Sequence, residues 1–105
     1  MDNRVESRFD KNLLVNISSN GYNQVGLTAN ISRSGLLLVT TNLIPQQKDI
    51  SILIAAGNEL FEVKGEIRWM VMGPGEMSLE SPHRVGVKVV SASDLFYSFI
   101  GSLEE

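Results

Sequence analysis

The chain contains no cysteine and a single histidine among its 105 residues. The absence of cysteine excludes disulfides, thiolate metal sites and cysteine nucleophiles. His83 alone can build neither a catalytic triad nor a three-ligand zinc site, and the sequence holds no nucleophile elbow, zinc-binding helix motif or phosphate-binding glycine loop. We therefore predict that the protein is not an enzyme and that it has no catalytic residues, no metal ligands and no cofactor.

The chain also lacks an excess of positive charge. Nine lysines and arginines stand against twelve acidic residues, which gives a formal net charge of −3. Proteins that hold a long nucleic acid usually carry a basic face, so polymeric nucleic acid is not expected as the partner. A small anion held by two or three arginines remains compatible with this composition, because local charge matters more than the total.

Long hydrophobic runs are missing as well. The longest apolar runs, such as residues 35–39 and 52–56, are far shorter than the roughly 20 residues of a membrane span. No apolar stretch follows the first residues, as a secretory signal would require. We therefore expect no membrane insertion and a location in the cytoplasm.

Hydrophobic residues make up 43% of the chain, which is enough for one folded domain. Residues 60–71 alternate between apolar and charged side chains, the period of a strand with one solvated face. Phe61 and Trp69 fall on the apolar side, and we predict that both are core residues. The other predicted strands, which are separated by turn sequences, cover residues 13–17, 25–31, 35–40, 50–54 and 84–89.

Six short strands at this spacing predict a mainly β fold, a six-stranded antiparallel barrel, in which closure would remove exposed sheet edges. From Ser93 onward the apolar period becomes that of a helix, with Ser93 as candidate N-cap and Asp94 in the first turn. We therefore predict a single domain, residues 13–105, made of the barrel and a C-terminal α-helix. Residues 1–12 are polar and are predicted to form a flexible segment.

Two arginines near the N-terminus, Arg4 and Arg8, stand four residues apart. A guanidinium is planar, permanently charged and forked, so it pairs with a phosphate or with O6 and N7 of a guanine, or lies flat on a base. Two of them on a flexible segment are able to wrap around a ligand that has both phosphates and guanines. The alternative is a pair of solvated side chains that form exposed ion pairs with Glu6 or Asp10.

A second cluster consists of Asn30, Ser32 and Gly35. On a strand, Asn30 and Ser32 point to the same face, and their amide and hydroxyl groups are able to hydrogen-bond the edge of a purine. Gly35 permits a close approach that a side chain would block. The alternative is an ordinary polar turn, because asparagine and serine are frequent turn residues.

Together the two clusters resemble the RxxxR and (D/N)xSxxG motifs of PilZ domains, the bacterial receptors for cyclic di-GMP. They occur in the family's order and with its usual spacing. The similarity extends over essentially the whole chain, because residues 65–69 resemble the family's G-x-V-x-W strand and residues 84–88 its late G-(I/V)-x-F strand, after which a helix follows.

The resemblance implies a barrel that binds cyclic di-GMP without chemistry and transmits binding through residues 1–12, a switch segment that becomes ordered against the barrel. In this family the arginines of the first motif bind the phosphates and guanines of the ligand, and the polar residues of the second motif bind the edge of a guanine, so the resemblance implies the same roles here. Arg33, at a variable position inside the second motif, has a weaker assignment. The predicted ligand-binding residues are Arg4, Arg8, Asn30, Ser32, Arg33 and Gly35.

Two further positions bear on stoichiometry and partners. Asn3 stands where members that bind a stacked ligand dimer often have a third arginine, so one ligand per site is expected. Only three residues precede Arg4, too few to link to an upstream domain, so we expect a monomer or homodimer that signals to a separate effector protein. The alternative is a PilZ-like adaptor that binds another protein and ignores the nucleotide, as some family members without the arginines do.

Overall fold

The structure is a computed structural model in which residues 7–42, 49–71 and 83–104 are described. These residues form six strands and one helix, numbered here in chain order. The elements are β1 (Leu14–Ser19), β2 (Tyr22–Ile31), β3 (Gly35–Thr40), β4 (Asp49–Ala56), β5 (Glu59–Val71), β6 (His83–Ala92) and α1 (Asp94–Leu103). Within the described ranges, no helix has the length and apolar character that a membrane crossing needs.

The six strands close into a barrel with the strand order β1-β2-β3-β6-β5-β4. Neighbouring strands are antiparallel at every contact, including the contact between β1 and β4 that completes the circle. Closure pairs each of these strands on both sides, which removes the open edges of a flat sheet. The predicted fold, a six-stranded antiparallel barrel followed by a C-terminal helix, is confirmed.

The first hairpin shows how local sequence sets the strand register. Asn20 and Gly21 link β1 to β2, and both have positive φ angles, 47° and 83°. A two-residue turn with two positive φ angles matches the twist of the flanking strands, and asparagine followed by glycine is its preferred sequence. The pair therefore fixes the pairing of β1 with β2, in which Ser19 lies opposite Tyr22.

The core fills the inside of the barrel with aliphatic side chains that alternate along each strand. Its buried strand residues are Val15, Ile17, Ile31, Leu36, Leu38, Ile50, Ile52, Ile54, Phe61, Val63, Val85, Val87 and Val89. Phe61 is fully buried, as predicted, and its ring contacts two rings of α1, Phe96 at a centroid distance of 6.5 Å and Phe99 at 5.1 Å. Phe61 therefore joins the barrel core to the helix.

The helix begins at the predicted place but without the predicted side-chain cap. Ser93 has the extended backbone of an N-cap residue, and Asp94 lies in the first turn, where the helix dipole favours a carboxylate. The Ser93 hydroxyl makes no capping bond, and it is buried without a partner among the described residues. Burial of Phe96 and Ile100 against the core, rather than capping, therefore holds α1 in place.

The prediction that Trp69 is a core residue is wrong, because the alternation of β5 does not continue to its end. The pairing of β5 with β6 shifts register between Ile67 and Trp69, which inserts Arg68 as an extra residue. After this shift Met70 packs against the core, whereas Trp69 is 48% exposed on the outside of the barrel. A one-residue insertion turns every following side chain to the other face.

The described part of the predicted switch segment is attached to β2. The backbone of Phe9 exchanges two hydrogen bonds with that of Ile31, at 2.9 and 3.0 Å. Further along, the Asn12 amide donates to the Thr28 carbonyl at 3.0 Å, and the Leu13 N–H donates to the Thr28 hydroxyl at 2.9 Å. The flexibility of residues 1–12 stays a prediction, and residues 1–6, with Arg4 among them, lie outside the described residues.

Phe61→Ala is expected to lower the free energy of unfolding by about 3–5 kcal/mol, because it leaves a cavity where the barrel core meets α1. Urea denaturation followed by circular dichroism measures this change. Leu60→Ala is the matched control: the neighbouring side chain is 60% exposed, and its loss is expected to stay within about 0.5 kcal/mol. Equal losses at the two positions would contradict the placement of Phe61 in the core.

Candidate functional site

One cross-strand row on the outer face of the barrel connects the second motif to Trp69. Asn30 of β2 lies opposite Leu37 of β3, Leu37 lies opposite Gly86 of β6, and Gly86 lies opposite Trp69 of β5. Paired strands are about 4.8 Å apart, so the row is about 14 Å long. The Asn30 amide lies at one end of the row and the Trp69 indole at the other, with Leu37 and Gly86 between them.

The indole of Trp69 lies directly over the backbone of Gly86. A Cβ atom added at Gly86 would come within 2.2 Å of Trp69 Cε2 and 2.3 Å of its Nε1, a separation that no two such atoms tolerate. Any residue other than glycine would therefore displace the ring. Because the side chain is still about half exposed, an aromatic surface remains available to a ligand, and base–aromatic stacking is a common way to hold nucleotides.

A groove of about 230 Å³ lies along the Leu37, Gly86 and Trp69 part of this row, and Asn30 is not among its lining residues. Its lining residues are Arg8, Ser34, Gly35, Leu36, Leu37, Arg68, Trp69, Gly86, Val87 and Lys88. Three of these described residues, Arg8, Arg68 and Lys88, are cations, and none is a carboxylate. Arg68 also contacts Glu66 at 3.3 Å beside the groove, a partly exposed pair that neutralises some of this charge. The groove is therefore locally cationic although the chain is acidic overall.

The structure brings the described arginine of the first motif to the asparagine of the second. Arg8 Nη1 donates to Asn30 Oδ1 at 3.3 Å, an exposed and rather long contact. The backbone pairing of Phe9 with Ile31 holds Arg8 beside the end of β2. The two clusters thus occupy one site in the described residues, although Arg4 lies outside them.

Ser32 and Gly35 build the turn that links β2 to β3. The Ser32 hydroxyl accepts from the Gly35 N–H at 3.1 Å and donates to the Gly35 carbonyl at 3.2 Å, while the Ser32 N–H donates to the same carbonyl at 2.9 Å. Ser32 is only 1% exposed, so its hydroxyl faces the turn rather than the solvent. Gly35 lines the groove, and a Cβ there would lie 3.3 Å from the Val87 carbonyl oxygen.

Arg33, within the same turn, is directed to the C-terminal helix. Its Nε and Nη2 atoms donate to the two carboxylate oxygens of Glu104 at 3.1 and 2.8 Å, a bidentate ion pair. The guanidinium lies beside Gly101 of α1, where an added Cβ would stand 3.7 Å from Nη2, an ordinary contact. Arg33 is not among the residues that line the groove.

Of the ten residues that line the groove, only Arg8 and Gly35 were identified from the sequence as site residues. The other eight include the two cations Arg68 and Lys88, the Trp69 indole and Gly86 beneath it. Strict alternation put Trp69 with Phe61, because a register shift leaves no local mark in the sequence. A signal did exist at Gly86, since a glycine inside a strand often marks the close approach of another group. The position of Lys88 depends on the pairing of Gly35 with Lys88 across β3 and β6, which only the structure gives.

A second, larger groove of about 490 Å³ lies elsewhere on the barrel and holds none of the motif residues. Its described lining includes Lys64, Asp49 and several serines, but no aromatic side chain. We place the candidate site in the smaller groove, because size alone does not recognise a ligand and only the smaller one combines both motifs, three cations and an indole. Among the described side chains, no group of three metal-binding residues comes together.

Comparisons with known proteins agree with the barrel fold. The family model of the PilZ domain matches residues 2–95. No curated protein matches the sequence. Seven chains of solved structures match, among them the Bacillus subtilis inhibitor of motility, MotI/DgrA, with a TM-score of 0.74 and 17% sequence identity over 95% of this chain. The match covers 48% of the MotI/DgrA chain, so the present chain spans about half the length of that protein, and at this identity the likeness shows the fold.

Gly86→Ala is expected to push the indole of Trp69 off β6 and into the solvent. Since Trp69 is the only tryptophan of the chain, the change is read directly as a red shift of the emission and a larger acrylamide quenching constant. Gly101→Ala is the matched control, because a Cβ there makes only an ordinary contact with Arg33. Unchanged emission in Gly86→Ala would contradict the position of the indole over β6.

Proposed function

The chain belongs to the PilZ domain family, whose members are non-catalytic receptor or adaptor domains, and from this premise we propose that it is a receptor for cyclic di-GMP. The ligand would bind in the cationic groove formed by β3, β5 and β6. The observation that carries this proposal is the groove beside the row from Asn30 to Trp69, because row and groove together place amide, cationic and aromatic groups on one surface.

The chemistry of the groove matches the two kinds of group that cyclic di-GMP contains, guanines and phosphates. The Trp69 indole offers a stacking surface for a guanine, an interaction worth about 1–3 kcal/mol per base. The guanidinium groups of Arg8 and Arg68 pair with phosphate oxygens or with the O6 and N7 atoms of guanine. Lys88 adds a point charge to the same surface.

In this proposal Arg8 exchanges its contact with Asn30 for a contact with the ligand. The exposed 3.3 Å bond joins the charged guanidinium to a neutral amide, whereas phosphate offers an anionic acceptor that also pairs bidentately, so the exchange is favourable. The Asn30 amide, with two donors and an acceptor, then becomes free to hydrogen-bond the edge of a guanine. Arg4 is assigned to the ligand from its motif alone.

The turn residues of the second motif have a supporting part in the same proposal. Gly35 lets the ligand approach the backbone of β3, and Ser32 holds the turn that positions Gly35. One ligand per site is expected from Asn3, which stands where members that bind a stacked ligand dimer often have a third arginine. Because the backbone of Phe9 is paired with Ile31, the conformational switch would act through the residues that precede Phe9 and pass to a separate effector protein.

Arg8→Ala is expected to weaken cyclic di-GMP binding about 10- to 100-fold, because a hydrogen bond to a charged group contributes about 1.5–3 kcal/mol. Isothermal titration calorimetry on the purified chain measures the change. Lys88→Ala is expected to weaken binding as well. Lys64→Ala serves as its matched control, because Lys64 lies on the neighbouring strand β5 but outside the groove.

The same titration separates the receptor from the alternative. A wild-type chain that gives neither heat nor a thermal shift with cyclic di-GMP would remove the receptor proposal, since a ligand that prefers the folded state must raise its stability. The chain would then be a PilZ-type adaptor that binds protein only. Wild-type binding that survives Arg8→Ala and Lys88→Ala unchanged would instead place the ligand outside this groove.

Glu104→Gln tests the weaker assignment of Arg33 to the ligand. The carboxylate holds the guanidinium in an exposed ion pair, and such pairs contribute up to about 1 kcal/mol. If Arg33 binds the nucleotide after leaving Glu104, the variant is expected to bind cyclic di-GMP up to about fivefold more tightly. Glu59→Gln, an exposed carboxylate on β5, is the control, and equal affinities in the two variants would limit Arg33 to a structural role.

A further inference from the structure

Two apolar rows cross the outer face of the barrel around β1. In the first row, Leu27 of β2 lies opposite Leu14 of β1, Leu14 lies opposite Ala55 of β4, and Ala55 lies opposite Leu60 of β5. Side chains directly opposite each other in a sheet share one face, so these four form a continuous stripe across four strands.

The second row runs parallel to the first, two residues further along the strands. It contains Val25 of β2 and Leu53 of β4, with Asn16 of β1 between them. None of the seven residues in the two rows is charged, whereas the next position of the second row, on β5, is the carboxylate Glu62. The large side chains are strongly exposed: Leu14 53%, Val25 56%, Leu27 44%, Leu53 42% and Leu60 60%.

The exposed area of these rows exceeds what scattered surface residues provide. Five large aliphatic side chains, each roughly half exposed, present on the order of 400 Å² of apolar surface, the size of the largest patch on a typical monomer. One partner in a standard protein interface contributes about 800 Å², of which the central part is the most apolar. The rows therefore have the area of the centre of a small interface.

The rows lie on the side of the barrel away from the cationic groove. In the strand order, β1 is three strands from β6 in both directions, and the groove is centred on Gly86 of β6. A closed barrel offers no open edge, so a partner must pack against a face rather than add a strand. A partner on these rows would leave the groove open.

We propose that the apolar rows pack against the same rows of a second copy of this chain and form a two-fold symmetric dimer. A partner recognised through charge finds nothing to pair with on seven uncharged residues, whereas an equally apolar surface matches them, and each copy presents one. A symmetric dimer uses the same patch twice and requires only that the patch complement itself. The net charge of −3 on each copy opposes association in general, and the absence of charge from the seven contacting residues limits this repulsion.

The area also sets the strength of the association. Two patches on the order of 400 Å² each bury about 800 Å² of apolar surface, so the total reaches the lower limit of about 1,000–1,200 Å² for specific interfaces only when a polar rim contributes as well. The dimer is therefore expected to be weak and reversible, with monomer at low micromolar concentration and dimer as the concentration approaches millimolar. Its formation requires no nucleotide, so it stands or falls separately from the proposed receptor function.

Sedimentation equilibrium of the nucleotide-free chain over this concentration range is the first test. Val25→Lys and Leu14→Lys are expected to abolish the dimer. Val90→Lys is the matched control, because Val90 is 58% exposed but lies on β6, away from the rows. Lysine lowers the net negative charge, so general electrostatics would favour association in all three variants, and a selective loss points to the rows.

Cross-linking supplies a second readout. The chain has no cysteine, so Leu14→Cys, near the centre of the rows, introduces a single thiol that meets its own copy across a two-fold axis. A disulfide-linked dimer is expected with Leu14→Cys and not with Val90→Cys. A chain that stays monomeric up to millimolar concentration, or a dimer that persists in Val25→Lys and Leu14→Lys, would overturn the proposal and leave the rows to a different protein.

Discussion

One extra residue in β5 determines what the candidate site presents to a ligand. The register shift that inserts Arg68 turns Trp69 out of the barrel and brings Met70 into contact with the core. Without the shift, the indole would compete for space inside a barrel already filled by aliphatic side chains. β-bulges are frequent next to functional sites for this reason, because they redirect a side chain without breaking the sheet. The aromatic wall of the groove thus depends on an irregularity of the backbone.

The turn between β2 and β3 makes contacts in two directions through a few residues. Toward the groove, Ser32 holds Gly35 in place through hydrogen bonds inside the turn. Away from the groove, Arg33 forms a bidentate ion pair with Glu104 at the end of α1. The turn that holds Gly35 beside the groove is thus also joined to the end of the C-terminal helix. The motif is a structural joint as well as a candidate contact surface.

The regular strands and the helix could be predicted from the sequence, whereas the irregular features could not. Alternation and turn residues located all six strands to within a few residues, and Ser93 marked the start of α1, because these signals are local. The resemblance of the two motifs to those of PilZ domains predicted one site for Arg8 and Asn30, whose side chains are in contact. The outward position of Trp69 depends on a register shift that has no local signature in the sequence. The Arg33–Glu104 pair joins residues 71 positions apart. Such contacts are set by the closed sheet as a whole.

The contact between Trp69 and Gly86 has a consequence for how such a barrel changes over evolutionary time. Glycine alone fits beneath the indole, and a strand glycine without a ring above it leaves backbone exposed and packing lost. A lineage that replaces either residue first passes through an intermediate that is worse than both ends. The two positions are therefore expected to covary among descendants of this sequence, because a change at one position alone is unfavourable.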